Sequence, residues 1–216
     1  MGLIKSIKKR LDWRLNVTFD KITGFYRYKR KKGYIYIRYP RHYLDAKTNE
    51  WLCEKLYYYY YMPKKSDTVI DLGTGYGEEA LYLHDKAPNL NFFGVEIQPV
   101  IFECLANTFD TIGSNFKAVS TAINNGESIK LKSQLSYFSV GDDKESGYID
   151  IPTITWGEFL KKYKIEKIDL LKMNIEGGEK PFLESIEDFS NIKNMIISCH
   201  DFRANSGHGE FYRTKD

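Results

Sequence analysis

The sequence predicts a doubly wound α/β fold with a mainly parallel sheet. Three observations predict it. Short apolar runs alternate with helical patterns from about residue 67 to residue 201. The first run, Thr68-Val69-Ile70-Asp71-Leu72, leads into glycines at alternate positions, Gly73, Gly75 and Gly77, and then into a helix. The second run, Asn91-Phe92-Phe93-Gly94-Val95, ends in an acid, Glu96. Consecutive parallel strands need crossover connections, usually helices. Ligands of such sheets bind beyond the carboxyl ends of the strands, where the glycine loop and Glu96 both fall.

A chain of 216 residues holds one ordinary domain plus an extension. Its net charge of +3 is unevenly spread. Residues 1–41 carry thirteen Lys/Arg against two Asp, a net of +11, which leaves −8 for the remainder. No apolar run reaches the roughly 18 residues of a membrane span, and no hydrophobic signal core follows the basic first residues. Cys53, Cys104 and Cys199 are scattered and odd in number, which fits reduced thiols in a cytoplasmic protein. No metal-ligand spacing is present.

The N-terminal arm spans 1–62. Leu3, Ile4, Ile7, Leu11 and Leu15 fall at helical spacing among Lys5, Lys8, Lys9, Arg10 and Arg14. Such a helix either packs on its own domain or meets a membrane surface or acidic partner, which would make the protein membrane-peripheral. Met-Gly-x-x-x-Ser at 1–6 also matches a myristoylation pattern. Residues 24–41 interleave Phe25, Tyr26, Tyr28, Tyr34, Tyr36 and Tyr39 with Arg27, Lys29, Arg30, Lys31, Lys32, Arg38 and Arg41. Lys31-Lys32-Gly33 reads as the turn of a hairpin. The hairpin is either a solvated one or a surface of rings and cations suited to single-stranded nucleic acid or anionic sugars. A helical pattern then runs from Asn49 through Trp51, Leu52 and Leu56 to the tyrosines at 57–61, and Pro63 ends it.

The domain spans 63–216. Strand one is about 67–72 and its helix about 77–87. Strand two is 91–96, with a helix over Pro99 to Asp110. Strand three is about 116–121, with Ala122 and Ile123 at its end. Residues 127–153 alternate and read as β extensions or a flap. Thr155-Trp156-Gly157-Glu158 is a capping box that opens a helix to about Tyr163. Strand four is 168–173, and Pro181 falls in the first turn of the helix that follows. Strand five is 194–199 and ends at His200-Asp201.

A dinucleotide loop needs Gly-x-Gly-x-x-Gly and a helix N-terminus free to receive a pyrophosphate. Here Glu78 takes the third glycine's place, and Glu78 with Glu79 would repel a phosphate while favouring the helix dipole. S-adenosylmethionine carries a sulfonium and an ammonium and has no phosphate. Asp71 at the strand end suits such a cation, and Glu96 has the lone pairs to accept from both ribose hydroxyls. Lys172, Asn174 and Glu176 share one side of an extended chain and are expected to converge at the end of strand four. His200 ends strand five at the same edge.

Val69-Ile70-Asp71-Leu72-Gly73-Thr74-Gly75, Val95-Glu96-Ile97-Gln98-Pro99, Ile151-Pro152-Thr153-Ile154-Thr155 and Ile168 to Glu179 together resemble the FkbM family of S-adenosylmethionine-dependent methyltransferases. The resemblance covers about 67–202. It implies a Rossmann-like fold of the class I methyltransferase type and methyl transfer to oxygen on sugars, glycans and related natural products. It implies cofactor contacts from Asp71, Gly73, Thr74, Gly75, Gly77, Glu96, Ile97 and Ala122. Lys172, Asn174, Glu176 and His200 would line the transfer site. Many members have Asp where this chain has Asn174, and Pro where it has Ile97. His200 is the first candidate general base and Glu176 the second, with Lys172 positioning the acceptor or neighbouring acids. The family's closing helix and strand pair are expected to be missing, because only 202–216 follow strand five.

The partner expected is a small-molecule or glycan acceptor, with residues 1–41 available for an anionic ligand or surface. Two other readings remain at this level. One is a nucleic-acid methyltransferase or binder using the arm, against which stands the lack of a Pro-Pro-aromatic run after Asn174. The other is a non-catalytic interaction module.

Overall fold

The structure, a computed structural model, describes residues 13–113, 115–132 and 148–207. The proposed basic helix lies mostly outside them; residues 13–16 are helical. The chain then forms an antiparallel meander of β1 (Val17–Asp20), β2 (Phe25–Arg30) and β3 (Gly33–Ile37). The hairpin turn falls where Lys31-Lys32 places it. β1 carries little sequence alternation and was not expected. Tyr28, Ile35 and Ile37 bury one meander face against Leu81. The aromatic run is therefore partly core: Tyr28 and Tyr36 are buried, while Tyr39 stays exposed.

The tyrosine-rich helix is shorter than its pattern. α1 (Ala46–Leu52) starts at an Asp45 cap, and a π turn, Cys53–Tyr57, ends it before Tyr59 and Tyr60. Tyr58 turns into the core and Tyr60 remains exposed, so the run of five rings serves two environments rather than one helix face.

The centre is a five-stranded parallel sheet. Its strands are β4 (Thr68–Leu72), β5 (Asn91–Val95), β6 (Phe116–Val119), β11 (Leu170–Met173) and β12 (Met195–Ile197), in spatial order β12-β11-β4-β5-β6. α2 (Glu78–Lys86) and α3 (Pro99–Asp110) link the first half. α4 (Trp156–Tyr163), α5 (Glu179–Glu184) and α6 (Asp201–Asn205) follow. The sheet is thus Rossmann-like, and its winding reverses between β4 and β11. Apolar side chains alternate across it. Ile70, Leu72, Leu171 and Met173 pack with Trp156, Phe159 and Phe182 on one face; Val69, Leu170 and Phe92 pack with Leu83, Leu105 and Phe109 on the other.

Ala122 does not extend strand three. It opens β7 (Ala122–Asn124), which pairs in parallel with β10 (Thr153–Thr155). Within 127–153, read as β extensions or a flap, β8 (Ile129–Lys132) and β9 (Tyr148–Ile151) pair antiparallel, and 133–147 lie outside the described residues. The Thr155–Glu158 capping box forms as read, with both of its reciprocal contacts present.

The meander is joined to the domain by more than apolar contact. The outward amides of β3 donate to hydroxyls of or just beyond α3: Tyr36 N to Thr108 Oγ1 and Tyr34 N to Thr111 Oγ1, each at 3.0 Å. These threonines occupy a strand edge that would otherwise be open. No described helix is long and apolar enough to cross a membrane.

Candidate functional site

The site is built where the sheet reverses. Asp71 and Lys172 are registered partners across β4 and β11. Alternation turns both toward the α2 face, away from the face of Leu72 and Met173. Lys172 Nζ donates to Asp71 Oδ1 at 2.8 Å, stands 3.6 Å from Glu79 Oε2 and lies 5.1 Å from the centre of the Tyr57 ring. Lys172 is 1% exposed and Asp71 0%. Burial alone would lower the lysine, but Asp71 and Glu79 outweigh it and hold the ammonium charged. Burial raises Asp71 against the pull of Lys172. Burial also pushes Glu79 up to about 7, again opposed by Lys172. Asp71 Oδ2 has no hydrogen-bond partner among the described residues.

This arrangement corrects two expectations. Lys172 does not converge with Glu176; it belongs to a buried ion triad beneath the loop. Asp71, read as a strand-end acid suited to a cationic ligand, already holds the ammonium of Lys172. Asn174 donates its backbone N–H to Leu72 O at 2.9 Å and so ties the end of β11 to that of β4.

The glycine loop is gripped from β5. Gly73 N and Thr74 N donate to Val95 O at 2.9 and 3.2 Å. Thr74 Oγ1 turns back to Asp71 O at 2.7 Å. Gly75 N donates to Glu96 Oε2 at 3.1 Å, while Gln98 N donates to Glu96 Oε1 at 2.9 Å. Gln98 in turn caps α3 through Ile101 N. Glu96 therefore ties the loop to the start of α3, one oxygen to each, where the sequence reading turns both toward a ribose; each oxygen keeps a second lone pair. Burial pushes its carboxyl up to about 7 against the three backbone N–H contacts that favour the charge.

The glycines differ in purpose. Gly73 has φ +79°, and a Cβ there would come within 2.1 Å of Asn174 O, so it allows two strand ends to touch. Gly75 has φ +63° and nothing within 4 Å of its missing Cβ, so it opens on space. A Cβ on Gly77 would meet Leu105 Cδ1 at 3.0 Å, which marks close packing of α2 on α3. Glu78 and Glu79 turn from the loop mouth. Glu78 Oε1 accepts from Tyr28 Oη at 3.1 Å, and Glu79 faces Lys172. The repulsion they offer a phosphate is weaker than the sequence implies.

Ile97 and Ala122 do come together, packed with Ile129, Ile149 and Ile151 as a small apolar wall just beyond Glu96.

A second group stands at the ends of β11 and β12. His200 Nδ1 lies 3.0 Å from Glu179 Oε1, and His200 Nε2 lies 3.7 Å from Glu176 Oε1. Burial would raise Glu179, but its hydrogen bond from His200 and backbone N–H donors outweigh that and hold the carboxyl below its usual range. Ile175 N and Gly177 N donate to its two oxygens at 3.0 and 2.7 Å. An ionised Glu179 only accepts, so it fixes the proton on Nδ1 and leaves Nε2 of a neutral ring as the basic nitrogen. Glu176 sits at φ +58°, a strained turn that brings its carboxylate back toward His200. Of the four transfer-site candidates, His200 and Glu176 are thus joined and Lys172 is separate. Glu179 opens the first turn of α5 yet its carboxylate faces inward; the Glu-Gly-Gly-Glu spacing, with its tight turn, is the sequence signal for that role. Tyr76 and its partner His42 carried no signal.

A family model described as the Methyltransferase FkbM domain matches residues 63–214. No curated protein matches the sequence. Among solved structures, the chain is similar to a precorrin 8W decarboxylase from Methanobacterium thermoautotrophicum, with 17% identity, a TM-score of 0.43, and 79% of this chain and 72% of that one covered. The family match takes in the glycine loop, Glu96, the β4–β11 switch and His200. The chain belongs to the FkbM methyltransferase family.

Proposed function

We propose that the chain is an S-adenosylmethionine-dependent O-methyltransferase acting on a hydroxyl of a sugar, glycan or related natural product. The observation that carries the reading is one sheet edge bearing both an open glycine turn braced by Glu96 and a histidine oriented by Glu179. The open side of Gly75 and the apolar wall of Ile97 and Ala122 fit an uncharged nucleoside better than a pyrophosphate. Thr74, Gly75 and Gly77 would hold the cofactor's backbone-facing side, Glu96 its ribose, and Ile97 with Ala122 its base. S-adenosylmethionine, when bound, supplies an electrophilic methyl group on a sulfonium. The chain's own residues orient the acceptor and accept its hydroxyl proton at His200 Nε2. Orientation of this kind is worth about 7–11 kcal/mol and a general base about 10²–10⁴-fold. The Lys172 triad holds the floor of the loop and exchanges no proton with the acceptor.

Calorimetry should detect S-adenosylmethionine and not NAD; binding of NAD alone would sink the reading. A methyl-transfer screen against sugars, nucleotide sugars and glycolipids should give a methylated product. In it, His200→Ala should cut kcat about 10²–10⁴-fold with cofactor affinity unchanged.

A further inference from the structure

The segment after β3 lies outside the family match yet touches the glycine loop. Pro40–His42 forms one 3-10 turn. His42 Nδ1 lies 2.6 Å from Tyr76 Oη, and the two rings are tilted 31° at 5.5 Å between centres. Tyr76 stands between Gly75 and Gly77, so this turn is tethered to the loop itself. Burial lowers His42, and Arg41 and Arg38 lower it further, so the tether is an uncharged ring with two cations close by.

Those cations are set around one ring. The guanidinium carbons of Arg38 and Arg41 each lie 4.9 Å from the centre of the Tyr39 ring. Arg41 and Tyr39 are exposed and Arg38 half-buried. Three other cations of the arm are tied to protein acceptors: Arg27 to Asp20, Lys32 to Asp85 and the His84 carbonyl, Arg30 to the Leu44 carbonyl. Arg41 Nε donates to His42 Nε2 at a long 3.5 Å, and neither Arg38 nor Arg41 has a carboxylate partner among the described residues.

We propose that Arg38, Tyr39 and Arg41 form the acceptor-selecting lip of the site and take an anionic sugar, a phosphorylated sugar or a uronic acid. The proposal rests on the methyl-transfer reading above. A guanidinium matches the paired oxygens of phosphate or carboxylate, and an exposed tyrosine ring offers a flat apolar face to a sugar ring. One ring and two cations suit a single charged group. A nucleic acid would need a longer track of phosphate contacts.

The test titrates the full chain with glucose 6-phosphate, glucuronate and glucose by calorimetry or NMR. Both anions should bind more tightly than glucose, and which of them binds better identifies the favoured group. Arg38→Gln/Arg41→Gln should weaken the anions about tenfold or more and leave glucose unchanged. Tyr39→Ala should weaken all three. The proposal is overturned if wild type shows no preference for the anions, if the double variant keeps that preference, or if single-stranded RNA binds with a steep salt dependence while the anionic sugars do not. S-adenosylmethionine binding is measured on the same samples. Loss of the anion preference with cofactor binding intact removes the lip alone. Anion preference without cofactor binding removes the methyl-transfer reading, and with it the acceptor role, and leaves only an anionic-sugar site on Arg38, Tyr39 and Arg41.

Discussion

Lys172 carries a cation at 1% exposure between two acids, and that burial dictates what its loss does. Removing one partner of a buried pair leaves the other charge unsolvated and costs about 3–5 kcal/mol. Lys172→Met should therefore lower the unfolding free energy by about that amount in urea titrations, and a second change, Asp71→Leu, should recover part of it. Glu96 supplies a pH dependence. Burial raises its carboxyl from an ordinary 4.5 to about 7. Between those values the folded protein holds a proton that the unfolded chain has released. Its contribution to stability is thus full below about 4.5, falls as pH rises to about 7, and is level above. The stability difference between wild type and Glu96→Gln should decline over that window by roughly 3 kcal/mol; a flat difference would remove the assignment. Sequence named Asp71, Glu96, Lys172 and His200 because residue type and strand-end position are local facts. It did not reveal that Asp71 already holds Lys172, because pairing across 101 residues depends on register, which no local pattern encodes.

At the scale of the loop, three alternating glycines look equivalent in sequence and are not. Gly73→Ala would drive a methyl carbon into the Asn174 carbonyl, 2.1 Å away, and must separate the ends of β4 and β11. Gly75→Ala meets no atom within 4 Å and bears only the left-handed backbone cost of about 1–2 kcal/mol. Thermal melts should show a much larger loss for Gly73→Ala, whereas cofactor titration of the folded Gly75→Ala protein should show weakened binding. Elements with strong periodicity or capping chemistry, such as α3 and α4, were legible almost to the residue. β1 was not, since four residues with little alternation become a strand only because β2 lies beside them. The tyrosine helix was overread because helical spacing cannot distinguish a further α turn from a π turn that turns Tyr58 inward.

For the molecule as a whole, the arm and the domain are hydrogen-bonded to one another. Thr108 accepts from Tyr36 N and donates to Cys104 O at 2.9 Å, so one hydroxyl links β3 to the body of α3. Thr108→Val keeps the volume and strands a buried N–H, a cost of about 1–3 kcal/mol. Hydrogen exchange should quicken at Tyr36 first, and a uniform change across the sheet would contradict a local link. The fold class was legible because strands alternate with helices at crossover spacing. The docking of the meander was not, because its threonines read in sequence as ordinary helix residues.

The partnership of β4 with β11 also has a consequence in time. The two sides of the central strand are made far apart: β5 follows at once, whereas Lys172 emerges 101 residues after Asp71. At about 5–20 residues per second, a ribosome takes roughly 5–20 s to cover that distance. Throughout that interval the nascent chain presents a half-built sheet, one bare edge and an acid without its counter-ion. Synthesis rate and chaperone supply, as much as the finished contacts, would then govern the yield of folded protein.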